Sequence, residues 1–110
     1  MDQLERLLRQ LAINDEQSLE RVLTRGSAAV TDAALRPKVD LLVELGALLA
    51  LGAATTSIRA TVRRALVAGA TESEIVGVLL AVAPALGLAR VASTAPKLAL
   101  AMGYDIEADE

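Results

Sequence analysis

The sequence contains no cysteine, no histidine, no phenylalanine and no tryptophan, and its one aromatic residue is Tyr104. Without cysteine there are no disulfides, thiolate nucleophiles, peroxidatic thiol cycles or iron–sulfur ligands. Without histidine the usual zinc sites, Ser-His-Asp triads and imidazole proton shuttles are excluded. One ring gives almost no platform for base stacking, and a net charge of −3 supplies no basic stripe, so no nucleic-acid partner is expected. No metal site and no organic cofactor is expected either. Acid–base work falls to 14 carboxylates, 11 Lys and Arg, one phenol and a few hydroxyls.

What is present is aliphatic. Of 110 residues, 54% are hydrophobic, and roughly two in five are Ala or Leu, a helix-forming bias. The length fits a single domain over residues 1–110. A small chain buries a limited fraction of its surface, and an Ala/Leu/Val core gains little per residue. The surplus apolar surface is therefore expected to be covered by further copies, giving an obligate homo-oligomer. The opening MDQLERLLRQL is charged and amphipathic, unlike a signal peptide. Its polar face mixes Asp2 and Glu5 with Arg6 and Arg9, which suits packing on a partner helix better than a membrane surface. The longest apolar run, residues 41–54, contains Glu44 and is too short to cross a bilayer. No membrane partner is expected, and the expected location is the cytoplasm.

The periodicity predicts about six helices and no strand. The first covers residues 3–11, capped by Asp2 with Glu5, and carries the stripe Leu4, Leu7, Leu8, Leu11. The second starts after Asn14, with Gln17 as the capping partner; Leu19, Val22 and Leu23 face inward and Gly26 stops it. Residues 27–36 form a connection with a helical turn near 28–30. Pro37 opens a third helix to Leu51 that is apolar almost all round, hence central, with Gly46 at a close crossing and Gly52 at its end. Thr55, Thr56 and Ser57 suit a helix cap. The fourth helix has Ile58, Val62, Ala65 and Leu66 on one face, Arg59, Arg63 and Arg64 elsewhere, and stops at Gly69. Thr71 with Glu74 is a capping box for a fifth helix carrying Ile75, Val76, Leu79, Leu80 and Val82 and ending near Pro84. The last, residues 86–102, is interrupted around Pro96 and closed by Gly103, and an acidic, frayed tail follows from Tyr104. The glycines show no phosphate-loop or dinucleotide spacing.

The order of these elements is similar to a known family. PKVDLLVELGALLALGA, then a polar helix start, then RRALVAGATESEIVGVLLAVAPALGLARV resembles the carboxymuconolactone decarboxylase family, which includes the alkylhydroperoxidase D-type proteins. The best-matching piece is ALVAGATESEIVGVL, residues 65–79, and the likeness covers residues 37–92. The N-terminal helices and GLARVASTAPKLALAMGYD resemble a subgroup known only by the family name. The resemblance implies an all-α, alkylhydroperoxidase D-like fold assembled as trimers or hexamers. It does not carry over a reactive centre. Peroxidase-type members have Cys-x-x-Cys and a His four residues later at the start of the corresponding fourth helix. Those positions fall on Ala54, Ser57 and Thr61, or, one residue earlier, on Ala53, Thr56 and Ala60. The family glutamate of the preceding helix falls on Leu41 or Leu42. Lactone decarboxylases lack the cysteine pair but use a His here, and that too is missing. The implied chemistry is non-redox: decarboxylation, isomerisation or lactone handling of a small organic acid or lactone, or none, leaving a structural or assembly oligomer.

Several residues remain as candidates. Ser57 and Thr61 are one turn apart, and with Thr56 they could line a ligand pocket as hydrogen-bonding groups; the plainer alternative is a cap and a solvent-facing Thr. Arg59 and Arg63 are spaced to grip a carboxylate with guanidinium forks, or simply form, with Arg64, a solvated ridge. Glu44 stands in the most apolar helix; it is either an acid/base whose neutral form desolvation favours, or half of an ion pair with Arg59 or Arg63. Asp40 shares its face and is expected to be exposed. Tyr104 reads as a C-terminal anchor packed on a neighbouring copy rather than as a catalytic phenol.

Overall fold

In the computed structural model, residues 2–30 and 34–107 are described. Helices are α1 (Gln3–Ala12), α2 (Glu16–Arg25), α3 (Pro37–Leu51), α4 (Thr55–Val67), α5 (Glu72–Leu86) and α6 (Leu88–Ala101), with a 3-10 turn over Gly26–Ala29, and no strand among the described residues. The contacts divide the chain into two compact units, Met1–Arg36 and Pro37–Glu110. Thr31, Asp32 and Ala33 of the expected connection, and the tail's Ala108, Asp109 and Glu110, lie outside the described residues.

The first unit is built by caps. The Asp2 carboxylate accepts from the Glu5 amide at 2.7 Å and opens α1. Asn14 ends α1 rather than starting α2: it sits at φ 62, a left-handed conformation that Asn tolerates. Asp15 takes the cap position instead, accepting from the Ser18 amide at 3.0 Å and the Ser18 hydroxyl at 2.7 Å. The two Ser18 bonds, the hydroxyl's first, hold the Asp15 carboxyl below its usual range. The inner face of α2 is Ser18, Leu19 and Val22; Leu23, expected inside, is exposed. No residue of α1 is buried.

The second unit has one core. Leu45 and Leu49 of α3, Ile58, Val62 and Ala65 of α4, Ile75 and Leu79 of α5, and Leu98 and Ala101 of α6 close on one another. Gly46 lies where α3 crosses α5; a Cβ there would stand 3.4 Å from Val82 and 3.5 Å from Val78. The Thr71–Glu74 capping box is complete, with bonds of 3.1 and 2.9 Å. Glu74 also reaches Lys38 at 3.0 Å, tying the starts of α3 and α5. The Thr71 amide, and then the Lys38 ammonium, hold the Glu74 carboxyl below its usual range.

Four expectations are corrected. Thr55, Thr56 and Ser57 do not cap α4: its cap position is Ala54, without a side-chain bond, and the three lie in the first turn. The preceding turn is secured from α6, where Lys97 Nζ donates to the Gly52 and Ala53 carbonyls, both at 3.2 Å. Pro84 and Pro96 neither end nor interrupt their helices. Each removes one helical hydrogen bond, but Pro84, Pro96 and the residues four earlier, Leu80 and Ala92, are exposed, so water can satisfy the freed carbonyls. Helix α3 is not enclosed: only Leu45, Gly46 and Leu49 are buried, while Val39, Val43 and Leu51 face outward. Leu66 and Leu80, expected inside, are exposed as well. An apolar groove of about 560 Å³ runs over Val39, Val43, Gly46, Val78 and Val82 between α3 and α5. No helix among the described residues is long and apolar enough to cross a membrane.

Thr71→Ala removes one half of the capping box and is expected to cost about 1 kcal/mol, read from urea unfolding. Because Glu74 titrates lower in the folded chain than in the unfolded one, its contribution is present above the ordinary carboxylate range. It is lost as pH falls through the folded value. The unfolding midpoint of Glu74→Gln should therefore fall less than that of the parent chain between neutral pH and about pH 3.

Candidate functional site

The rotation of α4 sorts its side chains. Ile58, Thr61, Val62 and Ala65 turn into the core, which puts Arg59 and Arg63 on a flank facing the end of α6. There they border a cleft of about 440 Å³ with Val62, Leu66, Leu100 and Glu72. The last turn of α6, through Met102 and Gly103, completes its wall. Neither arginine lies within ion-pair distance of a carboxylate among the described residues, and Glu72 is likewise outside any pair. The cleft thus presents two guanidiniums and one carboxylate around an aliphatic floor.

Glu44 stands elsewhere. Its side chain is 48% exposed and lies 3.7 Å from Arg64. The partner is Arg64 rather than Arg59 or Arg63, because Arg64 occupies the side of α4 turned towards α3. A second, shallower hollow of about 340 Å³, lined by Leu41, Arg63, Arg64 and Val67, adjoins it. Glu44 is thus an exposed ion-pair member, and the desolvated acid/base expected from its apolar helix is not formed in the chain as described.

The hydroxyls are separated too. Thr61 is buried at 4% exposure on the core stripe of α4, whereas Thr56 and Ser57 are exposed. None of the three, nor Glu44, lines either hollow. Asp40 is exposed, as expected. Tyr104 borders a small hollow of its own chain with Val76, Leu79 and Leu98, and its amide donates to the Ala99 carbonyl at 2.9 Å.

Sequence reasoning overlooked Glu72 and Lys97. Nothing in the periodicity links Glu72, in the first turn of α5, to arginines on α4. Lys97 did leave a signal, since it is the one basic residue in the otherwise apolar last half of α6.

Compared with protein-family models, residues 16–100 match that of the carboxymuconolactone decarboxylase family. The chain belongs to this family. Neither the curated proteins nor the solved structures return a match. The carboxymuconolactone decarboxylase match extends the resemblance beyond residues 37–92, taking in α2 and nearly all of α6. As a cysteine-free member, this chain has no thiol redox centre.

Because both Glu44 and Arg64 keep much of their side chains in water, exposed pairing of this kind contributes under ~1 kcal/mol. Glu44→Gln is expected to leave the urea unfolding midpoint nearly unchanged; a large loss would show that Glu44 is buried in an assembly.

Proposed function

We propose that the chain is a cytoplasmic homo-oligomer of the carboxymuconolactone decarboxylase family that binds a small organic anion without thiol chemistry. The observation that carries this reading is the cleft beside α4, where Arg59 and Arg63, one turn apart, face an apolar floor with no ion-pair partner among the described residues. Guanidinium forks match carboxylate geometry, and about 440 Å³ falls within the range of small-molecule sites. The reaction consistent with the side chains present is proton transfer, as in decarboxylation, isomerisation or lactone opening. Ser57, Thr56 and Thr61 do not border this cleft, so the arginines carry the binding.

Homo-oligomerisation is supported by the groove between α3 and α5. Val39 is 40% exposed and Val43 59% exposed, side chains that a monomer would leave in water. Trimers or hexamers would cover them. The second reading, an assembly protein without catalysis, is favoured by the exposed position of Glu44, which leaves the proton-transfer group apart from the arginines.

Native mass spectrometry of protein taken directly from its source reports subunit number and retained ligand together. We expect an oligomer carrying a small acid; Arg59→Gln with Arg63→Gln should lose the acid and keep the assembly, whereas Val43→Asp should shift the mass to smaller species. A bare monomer would reject the reading. An oligomer that never retains or binds an organic acid would leave the assembly protein.

A further inference from the structure

The charges around the α4–α6 cleft define more than an anion site. Arg59, Arg63 and Glu72 border the same space, yet Glu72 pairs with neither arginine within 4.0 Å. The wall therefore carries charge of both signs without an ion pair between them, with one positive charge in excess. The cleft also reaches Met102 and Gly103, at the carbonyl end of α6, where the helix dipole is negative. Carboxylate and carbonyl oxygens accept hydrogen bonds and donate none. Val62, Leu66 and Leu100 supply the apolar part of the lining.

We infer that this cleft recognises a compact organic monocarboxylate that carries a hydrogen-bond donor, a hydroxyl or an ammonium, on an aliphatic body. This rests on the reading above that the cleft holds an organic anion, and adds the donor and the residue that selects it. The ligand carboxylate lies on Arg59 and Arg63 and neutralises the excess charge. Its donor faces Glu72 and the end of α6, and its aliphatic part covers the leucines. A dicarboxylate is disfavoured because its second charge would meet Glu72 and the helix end without a cation to hold it.

The test is isothermal titration of the assembled protein with two acids of the same skeleton, 2-hydroxy-4-methylpentanoate and 4-methylpentanoate. The hydroxy acid should bind about tenfold more tightly, the scale of one hydrogen bond to a charged group. Glu72→Gln should abolish most of that difference and leave the plain acid's affinity unchanged or improved. Arg63→Gln should weaken both acids about tenfold or more. Both variants alter exposed side chains, and an unchanged helical circular dichroism spectrum verifies their fold. If the two acids bind equally and Glu72→Gln affects neither, donor selection is overturned while the anion site stands. If neither acid binds, the anion site falls as well.

Discussion

The second unit depends on how α6 holds the end of α3. Thr94, fully buried, donates to the Leu49 carbonyl at 3.4 Å, and Lys97 takes the next two outward-facing carbonyls, those of Gly52 and Ala53. The last carbonyls of a helix have no partner within it, and burying them unpaired is costly. Here the amides of Gly52 and Ala53 reach back to the Leu49 and Leu48 carbonyls, and a neighbouring helix adds the Thr94 and Lys97 donors to Leu49 and to the turn itself. Gly52 stands at φ 67, and any side chain there would run into the Arg90 guanidinium. The turn into α4 is therefore fixed from α6, and α4 starts from Ala54 without a side-chain cap of its own.

Fixing that turn also fixes the rotation of α4. With Ile58, Val62 and Ala65 committed to the core, the helical repeat leaves Arg59 and Arg63 on the flank beside the end of α6, and Arg64 towards α3. The same clamp on the turn after α3 thereby separates the acid on α3 from the arginines on the cleft. The positions that the resemblance equates with the peroxidase-type cysteines and histidine are Ala54, Ser57 and Thr61, or Ala53, Thr56 and Ala60, and neither set holds a sulfur or an imidazole.

Much of the fold was legible because its signals are local. Pro37 and Gly52 bracket α3 as expected, and the Thr71–Glu74 box opens α5. Errors arose where a residue has two local uses. Asn14 and the Thr55–Ser57 run both suit caps, but Asn14 served a helix end, and the cap position of α4 is Ala54, ahead of the hydroxyl run, which therefore lies in its first turn. Pro84 and Pro96 read as breaks because sequence does not show whether the freed carbonyl faces water. The site was less legible than the fold. Arg59 and Arg63 share a face by spacing alone, but Glu72 joins them only through tertiary packing, and Glu44's apolar neighbours in sequence gave no sign that its own side faces outward. The surplus apolar surface that composition implies includes the open groove of α3 and α5.

The lone ring also makes the molecule its own optical reporter. Tyr104 follows directly on Gly103, at the lip of the arginine cleft, while its ring borders Val76 and Leu98 on the other side of the α6 terminus. With no tryptophan or phenylalanine to mask it, intrinsic ultraviolet emission comes from that one place. Changes in its intensity report on the packing of the chain where α6 ends against α5, and do so without a label.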